Sequence, residues 1–313
     1  MFVVRTGGPV PSSFSFSSAD DVARRLAEVG YLADPASALT VYLACRMGKP
    51  VLVEGPAGVG KTELAKAVAA AAGAGLVRLQ CYEGIDEARA LYEWNYKKQL
   101  LRLQAEPALA GTEPALQRSW VSMSDDIFSV DFLLERPLLA AIRRSEPTVL
   151  LVDETDKADV EMEGLLLEVL SDFQVTVPEL GTITAAQRPL VVLTSNATRE
   201  LSEALKRRCL FLHLDYPSAE RERAIVLARV PEAGARLADE VVRAVRTLRA
   251  MQLKKPPSIA ETIDWARTLA LLGTDTLEPA VAGATIGVVL KHTSDTVRAV
   301  RELGLQPPGE AAS

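Results

Sequence analysis

Short, almost wholly apolar runs recur along the first two thirds of the chain, bounded by Gly, Pro or polar residues: Pro50 to Glu54, Leu76 to Gln80, Thr148 to Val152, Pro189 to Thr194 and Leu210 to Leu214. Runs of that length predict strands buried on both faces. Segments with helical apolar spacing, such as Glu63 to Ala69, lie between them, and strands alternating with helices predict a parallel sheet covered on both sides. Upstream, Asp20 to Val29 predicts a short helix ended by Gly30. Asp34-Pro35 then supplies an N-cap with Pro at the first helical position of a second helix, stopped by Gly48. Beyond Pro217 the strand signal ends, and 220 to 230, 235 to 251, 259 to 272 and 276 to 301 carry helical spacing, with Pro279 tolerated in a first turn. Phe173 to Val177 and Gly181 to Thr184 alternate around Pro178-Glu179-Leu180, as a hairpin does.

This pattern divides the 313 residues into a flexible leader with one short helix (1–33), an α/β core (34–216), a helical domain (217–304) and a frayed tail (305–313). Thr6 to Ser18 is dense in Gly, Pro and Ser, so order is expected to begin near Ala19. A 48% hydrophobic and 24% charged composition is that of a globular protein and excludes collagen-like, disordered and disulfide-scaffold classes. The net charge of −6 has the wrong sign for a surface that grips phosphate backbones everywhere.

Cys45, Cys81 and Cys209 form no CxxC pair, and His213 and His292 are the only histidines. Neither a zinc site nor a His-dependent triad can be built from them. Ala67 to Val77 and Ala280 to Leu290 are too short to span a bilayer, and the N-terminus breaks into Gly, Pro and Ser before a signal core forms. The expectation is a cytoplasmic protein whose membrane association, if any, is made through partners.

Gly55-Pro56-Ala57-Gly58-Val59-Gly60-Lys61-Thr62 fits GxxxxGK[ST] without a mismatch, between a predicted strand and a predicted helix. The glycines let successive N–H groups turn toward phosphates, Lys61 neutralises the β and γ charges, Thr62 offers a hydroxyl to Mg2+, and the helix N-terminus from Lys61 to Glu63 adds its dipole. A chance Gly-rich turn is the alternative, but it does not require the flanking strand and helix.

Val149 to Val152 is an apolar strand that ends in Asp153-Glu154. In this pattern Asp153 holds Mg2+ and Glu154 polarises the attacking water. Plain solvated loop charges are the alternative. Thr194-Ser195-Asn196 closes the next strand, where Asn196 could orient that water, although Asn at a strand end is also a turn former. Lys206-Arg207-Arg208 follows. A basic side chain supplied across a subunit boundary is worth about 10^3 to 10^5 in rate in phosphoryl transfer, whereas cations at a helix C-terminus can also serve its dipole.

The order phosphate loop, Asp-Glu, polar strand end, basic cluster resembles the AAA+ ATPases from about residue 34 onward. The resemblance implies ATP and Mg2+ as ligands and a ring of identical subunits, a hexamer, with Arg208 reaching a neighbour's nucleotide and residues 217–304 forming a helical lid. Cys81 to Asp86, the long helical stretch Leu91 to Leu103 (LYEWNYKKQLLRL), Phe132 to Leu139 and the strand pair around 173–184 are similar to the MoxR branch. There the resemblance implies a helix-2 insert and a hairpin before the sensor-1 residue Asn196. Glu93, Trp94, Tyr96 and Lys97 could contact a client; the alternative is an amphipathic helix packing Leu91, Trp94 and Leu101.

Within that branch, CYEGID, LYEWNYKKQLL, LKRRC and KPPSIAETIDWA resemble accessory ATPases of carbon monoxide dehydrogenase and other molybdenum hydroxylases. Those work with a protein bearing a von Willebrand factor A domain. The resemblance therefore implies a chaperone that remodels or matures a client metalloenzyme, with no nucleic acid as partner. Many MoxR relatives carry Ser-Pro-Arg in the lid, and Pro257-Ser258-Ile259-Ala260-Glu261 has no Arg there; Arg267, Lys254 and Lys255 are the available cations. Gly30-Tyr31-Leu32 is the candidate for part of an adenine pocket. Two rivals stand: a nucleic-acid remodeller, against which the acidic charge counts, and a nucleotide-dependent scaffold with little turnover.

Overall fold

The computed structural model describes residues 14–109 and 127–305. Its strands are β1 (Val51–Glu54), β2 (Gly75–Gln80), β3 (Tyr92–Trp94), β4 (Leu133–Glu135), β5 (Thr148–Asp153), β6 (Gln174–Val177), β7 (Gly181–Thr184), β8 (Leu190–Ser195) and β9 (Leu210–His213). The helices, numbered in chain order, begin with α1 (Ala19–Glu28), α2 (Pro35–Met47), α3 (Lys61–Ala72), α4 (Glu87–Ala90), α5 (Tyr96–Leu109), α6 (Pro137–Arg143), α7 (Val160–Asp172) and α8 (Glu203–Arg208). After Pro217 come α9 (Ala219–Arg229), α10 (Gly234–Ala250), α11 (Ile259–Leu271), α12 (Pro279–Thr285) and α13 (Thr293–Leu303). The described chain forms two compact units: one from the described part of 1–25 with 34–54 and 65–212, the other from 26–33, 55–64 and 213–305.

The first unit holds a five-stranded sheet in the order β2-β5-β8-β1-β9. Adjacent pairs from β2 to β1 run parallel, so their C-terminal ends share one edge, with Gln80 beside Asp153 and Glu54 beside Ser195. Every residue of β5 and β8 is buried, which is why neither sequence shows a period of two. The core beneath gathers Leu150, Val152, Val191 and Leu193 with α6 (Leu138, Leu139, Ile142) and α7 (Leu166, Val169, Leu170). Asp34 caps α2 by accepting from the Ser37 N–H at 2.7 Å, and Gly48 ends it at φ 61°. Asp159 caps α7 in the same way, and β6 and β7 form the expected antiparallel hairpin.

Three expectations are corrected. Leu91 to Leu103 is not one helix: Tyr92–Trp94 pairs antiparallel with Leu133–Glu135. The helix starts only at Tyr96, where the Asn95 side chain accepts from the Lys98 N–H at 3.0 Å and acts as an N-cap. Trp94 is buried against Phe128, edge to face, whereas Tyr96, Leu100 and Leu101 of α5 are exposed.

The stretch 276–301 breaks into α12, a 3-10 turn at Ile286–Val288 and α13. Gly287 and the β-branched residues around it favour continuation poorly. The leader is ordered earlier than its composition suggests: Phe14 and Phe16 are buried, and the Arg25 guanidinium lies 5.4 Å from the Phe16 ring centre. The readings for residues 1–13 and 306–313 lie outside the described residues.

The second unit has its own core, in which Leu237, Val241, Val245 and Leu248 of α10 meet Trp265 and Leu269 of α11. Arg249 makes a two-pronged bond to Glu222, 2.7 Å on each arm, with Glu222 fully buried and Arg249 largely so. Among the described residues no helix is long and apolar enough to cross a membrane.

Leu166, fully buried beneath the sheet, should cost about 2–5 kcal/mol when truncated to Ala. Chemical denaturation followed by circular dichroism reads that loss.

Candidate active site

The glycine-rich loop leaves β1 and runs into α3, and its shape comes from contacts within its own unit. A Cβ on Gly55 would lie 1.8 Å from the Leu214 carbonyl oxygen, and one on Gly58, where φ is +75°, would lie 2.2 Å from the Ser258 Cβ. Ser258 belongs to the turn that opens α11. It caps that helix in a capping box with Glu261, and the next N–H, that of Ile259, donates to the Gly58 carbonyl at 3.2 Å. Arg249 holds the turn from behind by donating to the Pro257 carbonyl at 2.7 Å. The loop is thus clamped on glycines that nothing larger could replace.

Lys61 is 7% exposed and its ammonium donates to the carbonyls of Gly55 at 2.6 Å and Pro56 at 2.8 Å. The cation is therefore stored against the loop it would serve. Glu63 lies 3.8 Å from Arg229 of α9. Tyr31 places its ring 3.8 Å from where a Gly60 Cβ would stand, and Arg221 donates to the Leu32 carbonyl at 2.7 Å. The segment proposed for adenine contact therefore lies beside the phosphate loop. Of the candidate cations in the second unit, Arg267 is 3.6 Å from Asp264 and Lys255 is 3.7 Å from Glu261. The backbone N–H groups of Lys254 and Lys255 cap Asp295.

The acidic end of β5 belongs to the other unit. Asp153 is 2% exposed, and both its oxygens are engaged. Oδ1 accepts the Thr194 hydroxyl at 2.6 Å, while Oδ2 accepts Nε and Nη2 of Arg78 at 3.1 and 2.5 Å. Glu154 turns out of the strand in the left-handed region at φ 56°, its N–H donating to Thr194 Oγ1 at 2.9 Å. A non-glycine residue held there stores strain, and it re-aims the carboxylate away from the direction the strand would give it. That carboxylate meets Gln80 Nε2 at 3.1 Å and Lys157 Nζ at 2.6 Å on the same Oε2. The bond to Glu154 and its charge raise the Lys157 ammonium above its ordinary value.

Asn196 follows β8, and the loop after it is pinned by Asp156, whose Oδ2 accepts the Thr198 N–H at 3.0 Å and hydroxyl at 2.6 Å. Burial pushes the Asp156 carboxyl up, but the Thr198 bonds outweigh it and hold it below its ordinary 3.8. Arg208 ends α8 exposed, donating to Ser171 Oγ at 3.0 Å and the Ala204 carbonyl at 3.3 Å. Burial pushes the Cys81 thiol, just past β2, up to about 12, with Asp153 adding to the effect, which disfavours the thiolate.

The structure thus brings Asp153, Glu154 and Thr194 together at one sheet edge, and separately sets Ser258 against Gly58, Tyr31 beside Gly60 and Arg229 beside Glu63. Sequence reasoning missed Arg78, Gln80, Lys157 and Asp156, which hold the acids and the Asn196 loop, and Arg229 and Ser258, which meet the phosphate loop. Arg78 and Gln80 do carry a signal: they are the polar positions, two apart, of an otherwise apolar strand. Among the described residues no group of three His, Cys, Asp or Glu side chains could hold a metal ion by itself. A hard oxygen such as that of Asp153 nevertheless fits Mg2+, which takes one or two carboxylates and completes its shell with phosphates and water.

Comparison with known proteins gives a match between residues 50–209 and the family model "AAA domain (dynein-related subfamily)". A chloroplastic ClpA homolog, the ATP-binding subunit of an ATP-dependent Clp protease in Brassica napus, is 30% identical over 52% of the chain. Chaperone protein ClpB 2 of Parasynechococcus marenigrum is 33% identical over 45%. The chain matches only 15% and 13% of the lengths of these relatives. Among solved structures, a Thermotoga maritima RuvB mutant superposes with a TM-score of 0.47 at 17% identity, over 93% of this chain and 74% of that one.

Two outcomes follow from the clamped loop and the pinned acid. Gly58→Ala should cost stability through both the clash with Ser258 and the left-handed φ; adding Ser258→Gly should recover the steric part and leave about 1–2 kcal/mol, read by thermal melting. Asp156→Asn should lose about 1–3 kcal/mol at neutral pH. Because folding lowers this pKa, its contribution is complete above the ordinary value and lost as pH falls through the folded one. The variant's stability should accordingly fall less steeply than the wild type's below about pH 4.

Proposed function

The chain belongs to the AAA domain family, dynein-related subfamily, and from that premise we propose that it is an ATP-hydrolysing remodelling chaperone of the MoxR type. The observation that carries the reading is the placing of two motifs within the family match. Gly55–Thr62 follows β1 in the chain and Asp153–Glu154 closes β5, and both strands run parallel to β8 in one sheet. In this reading the loop N–H groups and Lys61 bind the β and γ phosphates, and Lys61 leaves the Gly55 and Pro56 carbonyls to do so. Thr62 and Asp153 would hold Mg2+, which would neutralise phosphate charge when bound.

Glu154 takes the proton of the attacking water, Asn196 orients that water, and Arg208 of a neighbouring subunit meets the charge developing on the γ-phosphate. The exposure of Arg208 at the end of α8 supports its reaching outward. A ring of identical subunits, a hexamer, is the assembly this requires, and AAA+ proteins usually form such rings. The absence of an Arg between Pro257 and Glu261 leaves the lid contact to another cation. Arg229, 3.8 Å from Glu63 just past the loop, joins Arg267, Lys254 and Lys255 as a candidate.

The client side rests on resemblance. CYEGID, LYEWNYKKQLL, LKRRC and KPPSIAETIDWA support a client of the molybdenum hydroxylase type and a partner with a von Willebrand factor A domain. The exposed Tyr96, Leu100 and Leu101 of α5 offer that client an apolar contact.

Lys61→Ala should abolish nucleotide binding. Glu154→Gln should keep it while turnover falls about 10^2- to 10^4-fold, as for loss of a general base; phosphate release and equilibrium binding separate the two effects. Glu154→Gln loaded with ATP and Mg2+ should retain a von Willebrand factor A protein together with a metalloenzyme from native lysate, and Lys61→Ala should not. Retention of nucleic acid or replication proteins instead would contradict the chaperone reading.

A further inference from the structure

The two acids at the end of β5 are joined to each other through β2. Arg78 donates from Nε and Nη2 to Asp153 Oδ2, and its Nη2 also donates to Gln80 Oε1. Gln80 then donates from Nε2 to Glu154 Oε2 at 3.1 Å. One hydrogen-bonded chain therefore runs Asp153, Arg78, Gln80, Glu154, and the parallel register that sets Gln80 beside Asp153 builds it. The exposures of the paired ends are unequal: the Asp153 side chain is 4% exposed and that of Arg78 is 47%. The acid is locked in the sheet while the guanidinium stands half in water, where it can leave without opening the core.

We propose that Arg78 is a positioning residue that gates the metal ligand: it occupies Asp153 in the empty chain and must withdraw for a metal-bound nucleotide to be accepted. The inference rests on the reading of Asp153 as the Mg2+ ligand. A guanidinium and a divalent cation compete for the same carboxylate oxygen, since Thr194 already holds the other. When Arg78 withdraws, Gln80 keeps its Nε2 bonds to Glu154 and to the Cys81 carbonyl, and Lys157 keeps its bond to Glu154, so the gate acts on Asp153 alone.

The test is calorimetric titration of the full-length chain with a non-hydrolysable ATP analogue across a series of Mg2+ concentrations, so that no turnover enters the readout. Arg78→Gln, which keeps hydrogen-bonding capacity and removes the charge, should lower the Mg2+ concentration at half-maximal analogue binding about tenfold. Its affinity for the metal-free analogue should be unchanged. Arg78→Lys, which keeps the cation, should stay near the wild-type half-point, and thermal melting of both variants reports their folding.

A merely structural Arg78 would weaken analogue binding alike with and without metal, and that result overturns the gate. So does an unchanged half-point in Arg78→Gln when Asp153→Asn has lost the metal response. A wild-type chain that binds no analogue, or an Asp153→Asn variant with the full metal response, overturns the underlying reading and the gate with it.

Discussion

A carboxylate that ends a strand buried on every side cannot be left to water. Asp153 is in that position, at the end of β5 between β2 and β8, and burial of an unpaired charge costs more than a domain can spare. Its neighbours follow from that constraint. Thr194, last but one of β8, gives a hydroxyl, and Arg78 of β2 gives a guanidinium. The same Thr194 oxygen then accepts the Glu154 N–H and fixes the left-handed turn that aims the second acid. Three adjacent strands thus supply one polar cluster at the edge of an otherwise apolar sheet. It is a place where the resident cation can be exchanged for another.

The second unit solves a different problem, that of holding a glycine-rich loop in one shape. Backbone N–H groups can converge on phosphate only if the loop does not wander, and glycine carries the largest conformational entropy. The turn Pro257–Ser258 meets Gly58, and Arg249 and Glu222 hold that turn from within their own helical core. Where a Ser-Pro-Arg turn would bring a cation, this chain brings a small cap residue that packs. The turn that opens α11 shapes the loop here through Gly58.

Much of this was legible in the sequence. The five sheet strands, the hairpin, the caps Asp34 and Gly48 and the Walker-type loop follow from apolar runs and from residues whose backbone preferences are strong. The break between Trp94 and Tyr96 was not, because Leu91, Trp94 and Leu101 fit a helical period even though Tyr92 and Trp94 pair in a strand and only Asn95 marks the new helix start. Phe14 and Phe16 were hidden among the serines that surround them. The partners of the acids were hardest to see. Arg78 lies 75 residues from Asp153, and only the strand order of the sheet makes them neighbours.

Exchange of the cation on Asp153 belongs to nucleotide capture. The most direct measurement is a crystal structure of the full chain with a non-hydrolysable ATP analogue and Mg2+. The γ-phosphate is expected against Lys61, the metal against Asp153, and the Arg78 guanidinium turned away with its bond to Gln80 broken. An analogue seated in the loop with Arg78 still paired to Asp153 and the metal held elsewhere would contradict that exchange.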